Sequence, residues 1–158
     1  MSVLLPLSER NLILTGYTVP NQPLIARSIG ERLKMPLVNV EGQIAERVGM
    51  SLEEIRTYYG ETRLKSIEQE ILSETVLRRH TVIRISSAML IHGDALAQVR
   101  ETGPVFCLVT TLDAMLQRLH ISMGARYYNP QERAAELSNL RREWAVRGKP
   151  GVIEVDTT

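Results

Sequence analysis

The sequence predicts an α/β protein with a doubly wound, five-stranded parallel sheet, on three observations. Five short apolar stretches, residues 11–15, 37–40, 81–85, 104–109 and 151–156, recur along the whole chain. Several are rich in Val and Ile, and some are continuous apolar runs, as strands buried on both faces of a parallel sheet are. Helical segments alternate with them, an order that requires crossovers, which are right-handed in such sheets. With 158 residues and no internal repeat or low-complexity stretch, the chain reads as one domain over residues 1–158, large enough for a real core.

The elements follow in order. Residues 23–33 carry Ile25, Ile29 and Leu33 at i, i+4 and i+8, a stripe suited to packing on the sheet. Pro23 fits the first helical turn, where its missing N–H costs nothing. Two shorter helical pieces, 42–48 and 51–59, are separated at Gly49, and Ser51 with Glu54 forms a capping box for the second. The longest predicted helix, 61–79, places Leu64, Ile67, Ile71 and Leu72 on its buried side. Further helices are expected at 94–101, 112–120 and 131–145. Residues 121–130, with Gly124 and Pro130, are the candidate mobile loop or lid.

Composition narrows the function classes. The hydrophobic fraction is 44% and the charged fraction 23%, ordinary for a globular protein. Lys and Arg number 19 against 18 Asp and Glu, a net charge of +1, so neither nucleic acid nor an anionic membrane is an expected partner. No apolar run approaches the ~20 residues of a membrane span. The opening Val3-Leu4-Leu5-Pro6-Leu7 lacks the basic flank and length of a secretory signal, so a cytoplasmic protein is expected. The single cysteine, Cys107, lies in the run Val105-Phe106-Cys107-Leu108-Val109 and reads as a buried small hydrophobe. His80, His92 and His120 show no ligand spacing with one another or with Cys107, so no metal site is expected from them.

The stretch NLILTGYTVPNQPLI, residues 11–25, runs from apolar strand through a turn at Gly16 into a helix. That is the frame of a phosphate-binding P-loop, G-x-x-x-x-G-K-[ST]. On it Gly16 is the first glycine, Asn21 stands at the second, Gln22 replaces the lysine, Pro23 the hydroxyl residue and Leu24 a further hydroxyl residue. Val19 and Asn21 add β-carbons where backbone amides must fold around an anion.

The order of features resembles the shikimate kinases, small P-loop kinases that phosphorylate shikimate with ATP and magnesium. The segment GMSLEEIRTYYGETRLKSIEQEIL, residues 49–72, is close to the family's G-M-S-x-x-E-I-F-x-x-x-G-E-x-x-F-R-x-x-E. PLVNVEGQI answers P-F-x-D-x-D-x-x-I, and the ending VIEVDTT answers V-V-D-T. The resemblance implies a five-stranded parallel sheet with flanking helices and a lid. It also implies roles, residue by residue. Asn39 replaces the acid that helps organise the metal. Glu41 stands for the acid that contacts a shikimate hydroxyl and serves as its base. Lys65 takes the place of a carboxylate-clamping arginine, keeping the charge but losing the bidentate fork. Glu68 matches the following glutamate. Ser86-Ser87-Ala88 replaces a triple glycine, Arg118 sits where an arginine lies near the nucleotide, and Tyr127 falls where an Arg-Pro pair has its proline. Arg141 or Arg142 answers the second carboxylate-binding arginine.

Each assignment has a plainer alternative. Glu61, Lys65 and Glu68 lie at i, i+4 and i+7 and serve equally as a surface ion-pair stripe. Glu41 suits a helix N-terminus, and Arg141 and Arg142 suit a solvent-facing charged helix. The leading expectation is a pseudoenzyme: a shikimate kinase fold with a degenerate P-loop, acting as a sensor of shikimate or a similar polyol carboxylate, or as a module binding a protein partner. No cofactor is expected on this reading. The alternative is an active kinase with a non-standard phosphate site, using ATP and Mg2+, in which an arginine of the lid or last helix substitutes for the missing lysine.

Overall fold

The computed structural model describes residues 9–16, 22–109, 111–143 and 146–156. Its strands are β1 (Leu12–Gly16), β2 (Leu37–Asn39), β3 (Val82–Arg84), β4 (Val105–Val109) and β5 (Val152–Asp156). Its helices are α1 (Gln22–Leu33), α2 (Val40–Val48), α3 (Leu52–Thr75), α4 (Ser87–Leu90), α5 (Ala95–Arg100), α6 (Leu112–Met123) and α7 (Pro130–Glu143), with a 3₁₀ turn over Gly124–Tyr128. The strands form one parallel sheet in the order β2-β3-β1-β4-β5. All five predicted strands are present, each within two residues of its expected bounds at either end.

Alternation along β1 explains how both faces are covered. Ile13 enters the larger core with Ile44, Ile55, Leu64, Ile71 and Ile83 beneath α2 and α3, while Leu14 turns to the opposite face with Ala26 of α1 and Val82. The sheet is therefore apolar on both sides. Buried Asn11 stitches β1 to the approach to β3: its Nδ2 donates to the Arg78 carbonyl at 2.9 Å and its Oδ1 accepts from the Thr81 amide at 3.1 Å. Cys107 is fully buried in β4.

Three expectations are revised. The stripe of α1 is centred on Ala26 and Ile29, and Leu33 is 49% exposed, because the chain turns away through Lys34 at φ 56°. The short helix α4 and the 3₁₀ turn were not foreseen. The candidate loop or lid over residues 121–130 carries regular structure that was not expected of it: it completes α6, makes the 3₁₀ turn and begins α7. Leu119, Met123, Tyr127 and Leu137 pack together there, and the Tyr127 ring stacks on His120 at 4.2 Å.

The long helix α3 carries the most informative local feature. Its start is the capping box, with the Glu54 amide donating to Ser51 Oγ at 3.2 Å and the Ser51 amide to Glu54 Oε1 at 3.3 Å. Gly60 interrupts it with φ 86° and ψ 167°, a conformation essentially restricted to glycine. The predicted division between residues 51–59 and 61–79 thus appears as a kink inside one element. After the kink Leu64, Ile67, Ile71 and Leu72 are all buried.

Candidate functional site

The carboxyl ends of β2 and β3 deliver the first half of the site. Asn39 ends β2 and precedes α2, so Glu41 falls in that helix's first turn, where the dipole favours its charge. Ser86 follows β3 and opens α4. Its amide donates to Glu41 Oε1 at 2.7 Å, and its Oγ accepts from the Met89 amide at 3.3 Å. The other Glu41 oxygen, Oε2, pairs with Nη1 of Arg84 in β3. Both partners are largely buried, the Arg84 and Glu41 side chains being 19% and 17% exposed. Glu41 is thus held on both oxygens by a guanidinium and a backbone amide.

The kinked helix α3 supplies the second half. A cavity of about 320 Å³ lies between it and the α4 segment. Glu41, Glu61 and Glu68 bring carboxylates to it, and Arg56 and Lys65 bring cations. Leu52, Met89 and Ile91 give it apolar wall, with Ser86, Ala88 and His92 completing the α4 side. Arg56, before the kink, pairs through Nε with Glu61, after it. Desolvation, then the neighbouring Glu41 charge, pushes the Glu68 carboxyl up to about 6, while the Arg56 and Lys65 charges pull it back. The location, at the carboxyl ends of parallel strands, is where open α/β sheets bind ligands.

Of the residues singled out by sequence, Glu41, Lys65 and Glu68 come together in this cavity. Lys65 is an exposed member of its wall. Asn39 is exposed, its carboxamide lying over Gly42, and it makes no cap hydrogen bond. The side chains at the triple-glycine position are absorbed locally. Ser86 caps α4, Ala88 lines the cavity, and the buried Ser87 hydroxyl shares a hydrogen bond with Thr15 at 3.0 Å. Val19 and Asn21 lie outside the described residues, as do the side chains of Gln22, Pro23, Leu24, Arg118, Arg141 and Arg142. The backbone of α7, which carries the last two, packs against α4. Gly16 has φ 101°, and a β-carbon there would collide with the Leu108 carbonyl of β4. That glycine has a reason in strand packing alone, independent of any phosphate.

A profile described as shikimate kinase matches residues 24–148, most of the chain. The chain belongs to the shikimate kinase family. The shikimate kinase of Thermodesulfovibrio yellowstonii is 24% identical over 135 residues, 84% of this chain and 78% of that protein. That of Geobacter sulfurreducens is 28% identical over 118 residues, 75% of this chain but only 65% of that protein. Among solved structures, the fold matches shikimate kinase from Acinetobacter baumannii in complex with shikimate, with TM-score 0.75, 18% identity and 96% and 86% of the two chains covered. It also matches a gluconokinase from Sinorhizobium meliloti, with TM-score 0.54, 13% identity and 96% and 84% covered. At those identities the two structural likenesses show the fold alone.

Within this shikimate kinase family member, two charged residues of the site, Arg84 and Arg56, escaped sequence reasoning, as did the apolar wall of Leu52, Met89 and Ile91. Arg84 sits in the apolar-looking strand VIRIS, and its role depends on reaching a residue on another strand's helix. Arg56 stands where the family pattern has phenylalanine. That mismatch, a cation in place of an aromatic ring inside an otherwise well-matched motif, was the signal that could have found it.

Proposed function

We propose that this protein binds a small polyol carboxylate, of the shikimate type, in the cavity between α3 and α4, and that it is a poor catalyst of phosphoryl transfer from ATP. The observation that carries the reading is the convergence of Glu41, Glu68, Arg56 and Lys65 around about 320 Å³ with an apolar wall. Carboxylates accept from hydroxyls, cations meet the ligand carboxylate, and Leu52 and Met89 cover a ring face.

Three features support weak transfer. Phosphoryl transfer depends on positioning and on stabilising charge with loop amides, lysine and magnesium, and here Gln22 and Pro23 replace the lysine and the hydroxyl residue. Removing one such donor costs roughly 10²–10³ in rate. The residues present do not suit magnesium either. Asn39 brings no negative charge, and Glu41 is already committed to Arg84 and the Ser86 amide. That same commitment takes Glu41 away from the role of a free base.

An active kinase with a non-standard phosphate site is the second reading, and family membership favours it. Calorimetric titration of the unmodified chain with shikimate, ADP and ATP–magnesium separately decides between them. Saturable shikimate binding without nucleotide binding is expected. Rapid phosphorylation of shikimate by ATP would establish the kinase instead.

A further inference from the structure

We propose that Arg56, rather than Lys65, is the specificity-determining residue that holds the ligand carboxylate in this cavity. The inference rests on the reading of the cavity as a polyol-carboxylate site and says which group recognises the acid. The family motif places its arginine at position 65 and an aromatic ring at position 56. Here the two are changed together, to Lys65 and Arg56. Both side chains line the same cavity, from opposite sides of the Gly60 kink.

Geometry and chemistry favour Arg56 for the task. It is positioned by its ion pair with Glu61, made through Nε, and a guanidinium carries further N–H donors on Nη1 and Nη2 with which to meet a second carboxylate. Lys65, exposed like Arg56, takes part in none of the ion pairs among the described residues, and an ammonium on a four-carbon stem is a point charge without a fork. Among the charges acting on the Glu68 carboxyl, Arg56 opposes the upward shift more strongly than Lys65 does. The Arg56 side chain is 43% exposed, so the fork can adjust to an entering ligand without leaving a buried charge unpaired.

The test uses the full chain, with shikimate and its neutral methyl ester as probes, in the unmodified protein and in Arg56→Gln, Arg56→Lys and Lys65→Gln. Arg56→Gln is expected to weaken shikimate binding by about 10- to 100-fold while changing ester affinity by less than about threefold. Arg56→Lys should fall between, and Lys65→Gln should weaken shikimate by only about threefold. An NMR titration of Glu68 checks each folded variant without ligand, and its carboxyl should rise further in Arg56→Gln than in Lys65→Gln. A larger loss in Lys65→Gln, or equal loss of acid and ester in Arg56→Gln, overturns the assignment and leaves the cavity reading standing. Failure of the unmodified chain to bind either probe overturns both.

Discussion

Glu68 is the residue whose chemistry the cavity alters most. Burial disfavours its charged form, and Glu41 and Glu61 add like charge, while Arg56 and Lys65 only partly compensate, so its carboxyl titrates near 6 instead of 4.5. A raised acid is protonated in the folded chain before the unfolded one, so the folded state binds the extra proton between those values. The Glu68 contribution to stability therefore grows as pH falls from about 6 towards 4.5, and is lost as pH rises through about 6. Chemical denaturation of the unmodified chain and Glu68→Gln over this window should show the slope only in the former. The Arg84–Glu41 pair supplies a second residue-scale expectation. Arg84→Met leaves a largely buried carboxylate with one amide partner, and should destabilise by about 2–3 kcal/mol. Adding Glu41→Gln should recover part of that loss, a coupling read from a double-mutant cycle. Additive losses in the cycle would mean that the pair contributes little.

At the scale of elements, α3 holds the site because it is broken in the right place. Gly60 sits at φ 86° and ψ 167° with nothing within 4 Å of a would-be β-carbon, so substitution is opposed by the backbone alone. Gly60→Ala should cost about 1–3 kcal/mol and, by straightening the helix, separate Arg56 from Glu61 and weaken ligand binding. A variant with unchanged stability and affinity would show that the kink is incidental. Ser51→Ala, by contrast, should cost about 1 kcal/mol through the lost cap, with affinity kept. Both the capping box and the break before Glu61 were legible, since each is a local pattern of backbone chemistry. The buried Leu64, Ile67, Ile71 and Leu72 were legible for the same reason, being a helical period. Leu33 misled because periodicity does not reveal where a helix stops being covered. Arg84 was illegible because its meaning depends on a partner 43 residues away on another strand's helix. Ser87 was likewise read only as a replacement within a triple glycine, when its buried hydroxyl shares a hydrogen bond with Thr15 at the end of β1. Long-range pairings of polar groups leave no periodic trace in a sequence.

At the scale of the whole molecule, a binding site and a transfer site are separable on one fold. The family match covers residues 24–148, and the residues lining the cavity between α3 and α4 lie within it. Substituting Val19→Gly, Asn21→Gly, Gln22→Lys, Pro23→Ser and Leu24→Thr together supplies the glycines, the charge and the hydroxyls of a phosphate-binding loop. The repaired chain should gain measurable ATP affinity by calorimetry. Its turnover of shikimate should stay low, because affinity for phosphate needs the loop, whereas transfer also needs metal and acceptor aligned in the transition state. Asn39 still brings no charge to a metal, and Glu41 is still held by Arg84 and the Ser86 amide. Adding Asn39→Asp and Arg84→Ser to the repaired loop should then raise turnover above that of the loop repair alone, since it frees the Glu41 carboxylate and restores an acid beside it. A folded chain with the five substitutions that binds no nucleotide would show that the loop residues alone do not decide nucleotide affinity. Brisk turnover from loop repair alone would show that the Arg84 pairing is no barrier to catalysis.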